Sequence, residues 1–167
     1  MPEVLGKIVS YIVLVLLVFI APVVLILSKV ETNKDNYIYN LTTKFVDDCS
    51  TSGQITPEEY AIFTNKIYSL GNYSIEIEHE SQLIFAREDG VAEAGTVSTY
   101  MSQISEVMYA DPLNEVPYNM KTGDTIGVSV KKNSSGILGV YYRFLLGREP
   151  KNELIVNYYM NVGETAE

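Results

Sequence analysis

Residues 8–28 read IVSYIVLVLLVFIAPVVLILS and contain no charged side chain. As an α-helix this stretch would run about 31 Å at about 1.5 Å per residue, which matches the hydrocarbon thickness of a bilayer. Backbone N–H and C=O groups in hydrocarbon need internal partners, so a single segment can cross only as a helix. The rival reading is a cleavable secretory signal, whose apolar region is normally about 7–15 residues and ends in a small-x-small site. This run is longer and leaves through LILSKVETN (25–33), which offers no good site. An uncleaved single-pass anchor is therefore expected. Pro22 lies inside the run, removes one helical hydrogen bond and tends to kink the rod.

Charge separates this rod from the rest. Residues 1–30 hold Lys7 and Lys29 against Glu3, so of the formal net charge of −9 the remaining residues carry −10. An acidic, tyrosine-rich head repels phosphate backbones, and no nucleic-acid partner is expected. It also sits more comfortably away from an anionic cytoplasmic leaflet. Lys7 and the amino group precede the span while Lys29 and Lys34 follow it, so the basic residues orient it weakly. With only a few residues ahead of the span, the expected topology is a cytoplasmic N-terminus in the cell membrane and an extracellular head.

The helix has no obvious stop at Lys29. Apolar positions recur at Val30, Tyr37 or Ile38, Leu41, Phe45 and Cys49, mostly at steps of three and four, and no Gly or Pro occurs between Pro22 and Gly53. One rod from about residue 4 to about residue 51 is expected, with its second half amphipathic and packed on its own head. A coiled coil is disfavoured, because the periodicity covers under three heptads. The organisation read from the chain is a transmembrane helix over 1–29, an amphipathic continuation over 30–52 and an exported head over 53–167.

In the head, Thr56 is a natural N-cap, Pro57 suits the first helical position and Glu58 with Glu59 suit the positive helix end. Tyr60, Phe63, Ile67 and Leu70 form a stripe, and Gly71 ends the helix. Tyr73–Glu80 (YSIEIEHE) alternates strictly, with Tyr73, Ile75, Ile77 and His79 on one face and Ser74, Glu76, Glu78 and Glu80 on the other. Gln82–Ala86 extends that strand or returns as a second. Residues 87–95 read as a loop, and Val97, Tyr100, Ile104 and Met108 as a second short helix stopped by Asp111-Pro112. Gly123-Asp124 turns into a strand over 125–131. Residues 133–136 read as a hairpin-like loop, and 137–146 and 154–160 as further strands. The predicted class is α+β: a long N-terminal helix, two short helices and an antiparallel sheet of three to five strands.

Chemistry-bearing motifs are sparse. One cysteine, Cys49, cannot make an intrachain disulfide, and one histidine, His79, excludes a multi-histidine metal site. His79 reads as a residue at the core boundary and Cys49 as a small buried hydrophobe. Glu76, Glu78 and Glu80 share a strand face that is solvated or, at best, a weak calcium site. GxSxG, GxGxxG and P-loop patterns are absent. Lys121-Thr-Gly-Asp124 superficially matches a phosphate loop but runs into a strand. No catalytic residues, metal or cofactor are expected. Tyr37, Tyr39, Tyr141, Tyr142, Tyr158 and Tyr159 come in near pairs, so alternate members on strands face outward, where tyrosine favours protein contacts.

The short N-terminus with Gly6, the apolar helix with Pro22, the amphipathic continuation and the α+β head resemble a type IV pilin or pseudopilin. The nearer likeness is to TadE-like minor pilins and related small anchored proteins of Gram-positive secretion and mobile loci. It is carried by FVDDCSTSGQITPEEYAIFTNKIYSLGNYSIEIEHE (45–80) and YNMKTGDTIGVSV (118–130). The resemblance implies a pilin-like fold and a non-enzymatic structural or accessory subunit of a pilus or secretion machine. Its partners would be the membrane, copies of itself or other pilin-like subunits, and the machinery. The helix would pack through Ile8, Tyr11, Val15, Leu16, Phe19, Pro22, Val24 and Leu27, in the membrane or in a surface filament. Gly6 and Lys7 mark the candidate processing point. Pilin-type processing leaves a glycine before an aromatic residue or Met and a glutamate five residues on; here Lys7 follows Gly6 and position 11 is Tyr11. The alternative is a single-pass adaptor of a conjugation or secretion channel that never enters a filament.

Overall fold

The computed structural model describes residues 2–86, 92–111, 113–133, 143, 147 and 153–163. The chain divides into two compact units, residues 1–36 with 135–151 and residues 37–134 with 152–167. The helix α1, Pro2–Ser52, contributes to both. Its stretch in the first unit is helical through Pro22 and exposes large apolar side chains all round, among them Ile8, Leu14, Phe19 and Leu25.

In the second unit α1 becomes one-sided. Ile38, Thr42, Phe45, Val46, Cys49 and Ser50 are buried, while Tyr37 and Tyr39 stay exposed. The choice between Tyr37 and Ile38 thus falls on Ile38, which lies four residues before Thr42 and seven before Phe45. The two polar members of this face cost little, because each hydroxyl bonds within the helix: Thr42 Oγ1 donates to the Ile38 carbonyl at 2.9 Å and Ser50 Oγ to Asp47 at 3.2 Å. Gly53 ends the helix at φ +69°, its N–H bonded to the Cys49 carbonyl at 2.9 Å.

The short strand β1, Gln54–Ile55, leads into α2, Pro57–Leu70. Thr56 Oγ1 accepts from the Glu59 N–H at 3.2 Å and lies 2.7 Å from the Glu59 carboxylate. Phe63 and Ile67 are buried, and the Phe63 ring stacks on Phe45 of α1 with centroids 4.4 Å apart.

The strand β2 spans Tyr73–Ala86 and β3 spans Ala92–Tyr100, with α3 following at Met101–Met108. This corrects two expectations. Residues 92–95 are strand rather than loop, and Val97 and Tyr100 belong to β3 rather than to the helix. Thr96, Val97, Thr99 and Tyr100 are β-branched or aromatic and lie beside a long neighbour, so pairing with β2 from Glu78↔Tyr100 to Ala86↔Ala92 wins over helical spacing. Ile104 and Met108 do face the core from α3.

The strand β4, Tyr118–Asn119, pairs with β1. The strands β5, Thr125–Lys132, and β6, Glu153–Asn161, complete a four-stranded antiparallel sheet in the order β3-β2-β5-β6. Between Val130↔Val156 and Lys131↔Leu154 the register shifts, leaving Ile155 as an extra residue on β6. The class is therefore α+β, with a long N-terminal helix, two short helices and antiparallel sheets of two and four strands. The strand expected over 137–146 and the pair Tyr141 and Tyr142 lie outside the described residues, except Arg143. That residue is helical, and its carbonyl accepts from Gly147 N–H at 3.0 Å.

The inner sheet face contributes Tyr73, Ile77, Ile126, Val128, Val130 and Val156 to the same apolar cluster as the buried faces of the three helices. Removing Phe63 from that cluster opens a cavity under its stacked partner. Phe63→Ala is expected to cost about 3–5 kcal/mol, whereas Ile62→Ala, at a half-exposed neighbour, costs well under half of that. Chemical denaturation of the chain in detergent micelles, followed by near-UV circular dichroism, measures the difference.

Candidate functional site

Two places concentrate the features that could carry function: the apolar surface of α1 and a buried polar cluster around His79. On α1, Ile8, Tyr11, Val15, Phe19 and Pro22 follow at steps of three and four and so line one face, while Leu16, Val24 and Leu27 lie on another. Tyr11 is 70% exposed and Phe19 71%. Ile8, Val15, Leu16 and Pro22 are exposed too, and Val24 and Leu27 are half-exposed. Gly6 and Lys7 are exposed at the start of the helix, and a Cβ at Gly6 would meet nothing. The structure thus gathers the expected residues on one rod. That rod is long and apolar enough to cross a membrane.

Exposed apolar surface on this scale has a definite energetic meaning. Each large side chain left in water forgoes roughly 1.5–3 kcal/mol of transfer free energy. A continuous sleeve of them calls for a lipid or protein partner.

The second place was only half legible in the sequence. Alternation puts His79 on the inner face of β2, where it is 3% exposed, deeper than a residue at the core boundary. Its ring bonds at both ends, Nε2 to Asp124 Oδ2 at 3.0 Å and Nδ1 to the Tyr118 hydroxyl at 2.9 Å. A carboxylate accepts, so Nε2 carries a proton and donates to it. Asp124 Oδ2 also accepts the Lys121 N–H at 2.8 Å, and the Asp124 N–H donates to the Lys121 carbonyl at 3.0 Å. The sequence Lys121-Thr-Gly-Asp124 is therefore a closed turn whose carboxylate is aimed into the core. A polar residue ending a glycine turn just before an apolar strand is the signal that could have named it.

The cluster holds the 118–124 segment against β2; it does not present a nucleophile. Burial pushes the Tyr118 phenol above its ordinary range, and the nearby Asp124 charge adds to that against an opposing hydrogen bond with Thr99. A raised phenol pKa is the opposite of activation. Burial also pushes the Cys49 thiol strongly upward, helped by the charges of Glu59 and Asp48, so it stays a protonated core group. Among the described residues, no group of three or more His, Cys, Asp or Glu side chains is placed to hold a metal ion.

A further polar tie joins α1 to the sheet. The Tyr158 hydroxyl donates to Asp47 Oδ1 at 3.1 Å. Burial and then this bond raise the Tyr158 phenol, and burial and then Glu78 raise that of Tyr159.

Two outcomes follow for the folded head. His79→Leu removes the imidazole that links the buried Asp124 carboxylate to the Tyr118 hydroxyl, leaving Asp124 with the Lys121 N–H and Tyr118 with Thr99, and costs about 1–3 kcal/mol of unfolding free energy in urea. At high pH the raised phenols set the sign. The folded chain holds these protons more tightly than the unfolded one. Their contribution is complete below pH about 10 and is lost as pH rises through the higher folded-state values. Denaturation midpoints measured from pH 8 to 12 should fall, and Tyr158→Phe should flatten part of the fall.

Comparison with protein-family models, with curated proteins and with solved structures finds no match for this chain.

Proposed function

We propose that this protein is a non-enzymatic, pilin-like structural or accessory subunit of a pilus- or secretion-type assembly. It is anchored in the cell membrane by the first part of α1, with the N-terminus cytoplasmic and the head extracellular. The observation that carries the reading is the apolar sleeve of α1, exposed all round from Ile8 to Ile26 and continuous with a helical stretch whose other residues are built into the head. Such a rod can leave the bilayer only where neighbouring rods replace lipid around it, and a head-to-tail helical arrangement of copies does that. Pro22 gives the rod a place to bend or straighten as its surroundings change. The α+β head and the sequence likeness of residues 45–80 and 118–130 support the same reading. The partners in this reading are copies of itself or other pilin-like subunits together with the assembly machinery.

Replacing residues 8–28 with an unrelated apolar transmembrane helix separates assembly from anchoring. A packed subunit loses filament or complex formation while still fractionating with the membrane. A single-pass adaptor, the alternative, keeps its function after the swap. Leu16→Glu, which places a charge near the bilayer centre at a cost of about 2.5–3.5 kcal/mol, and Val24→Glu, about 9 Å from the middle of the span and less costly, should reduce membrane insertion and assembly together. Membrane fractionation and crosslinking of native cells read both.

A further inference from the structure

The outward face of the four-stranded sheet differs from the rest of the head. Cross-strand pairing puts Tyr100, Glu78, Gly127 and Tyr159 in one row across β3, β2, β5 and β6. Glu80 and Glu76 flank that row on β2, opposite Thr125 and Ser129 of β5. Gly127 makes the floor of a groove of about 430 Å³ whose lining includes Glu76, Glu78, Tyr100 and Tyr159. A Cβ at Gly127 would run into the Tyr159 ring, so glycine lets that ring lie down onto the sheet. Tyr100 is 57% exposed and Tyr159 44%.

The polar groups here are only partly satisfied. The Tyr159 hydroxyl reaches Glu78 Oε2 at 3.4 Å, long for an O–H···O⁻ bond, which leaves the carboxylate with accepting capacity. The cation among the described residues of this face, Lys131, sits on Glu76 at 2.6 Å. Glu78 and Glu80 are half-buried and two residues apart on one face, so their negative charges add there. An arriving cation meets this negative charge with the Tyr159 ring over Gly127 and the exposed Tyr100 beside it.

We propose that this groove is a docking site for an arginine side chain carried by a basic segment of a partner protein. Charge complementarity selects the partner's sign, because residues 31–167 carry −10. Chemistry selects arginine over lysine. A planar guanidinium stacks on a tyrosine ring and forks onto a carboxylate at once, whereas an ammonium is a compact, strongly hydrated point charge. A second copy of this head is a poor occupant, since it brings carboxylates toward carboxylates. The proposal goes beyond the assembly reading and does not rest on it.

The test uses the full chain in non-ionic detergent and fluorescent nona-arginine and nona-lysine peptides of equal charge, with anisotropy as the readout. Nona-arginine should bind more tightly than nona-lysine. The double variant Glu78→Gln, Glu80→Gln should weaken nona-arginine binding about tenfold or more. The charge-matched pair Glu58→Gln, Glu106→Gln, outside the groove, should change it less than about twofold. Tyr159→Leu should weaken binding by about two- to fivefold and erase the arginine preference, while Tyr159→Phe, which keeps the ring, retains it. Circular dichroism confirms that each variant is folded. Equal weakening by the two glutamate pairs, no preference for arginine, or unchanged binding in Tyr159→Leu would each overturn the proposal.

Discussion

One helix has to satisfy two different surroundings, and the rest of the molecule is arranged around that demand. Over residues 8–28 its side chains are apolar on every face. Over 37–52 they are apolar on one. The second stretch is the inner wall of the head: Ile38, Phe45, Val46 and Cys49 close the core against Phe63 and Ile67 of α2 and the inner faces of β2, β5 and β6. Remove that wall and the sheet has a bare apolar face, since two helices of 14 and 8 residues cannot cover it alone.

Polar ties then hold the wall in register. Tyr158 of β6 reaches Asp47, the Gly163 N–H donates to the Ser50 carbonyl at 2.9 Å, and the Met120 N–H donates to the Gly53 carbonyl at 2.8 Å. These bonds converge on the last two turns of α1 and its glycine cap. The His79–Asp124–Tyr118 cluster fixes the neighbouring segment to β2. Buried polar groups of this kind add modest net stability when satisfied and cost more when one partner is lost, so they discriminate between this packing and its neighbours.

The two sheet faces divide the work. The inner face is committed to the core. The outer face carries carboxylates, hydroxyls and two tyrosines over a glycine floor, and it is the part of the head whose chemistry is directed outward. Residues that pack and residues that remain available to a partner therefore alternate along the same strands, as Tyr158 and Tyr159 show at adjacent positions.

Much of this was readable from local pattern. The apolar run, the Thr56-Pro57 helix start, the Gly71 stop and the alternation of Tyr73–Glu80 are consequences of spacing and backbone preference, which act within a few residues. Such signals determined a long helix followed by a small α+β head. They failed where two periods coincided: Val97, Tyr100, Ile104 and Met108 fit a helix on paper, yet the first two are strand because β2 offers them a partner. They were silent on Asp124, whose carboxylate meets His79 at a sequence separation of 45. They were also silent on the Tyr100–Tyr159 groove, whose walls come from opposite edges of the sheet. Spacing along a chain determines which face a residue shares with its neighbours. Only the assembled sheet, with its register and the glycine floor at Gly127, decides which distant side chains meet there.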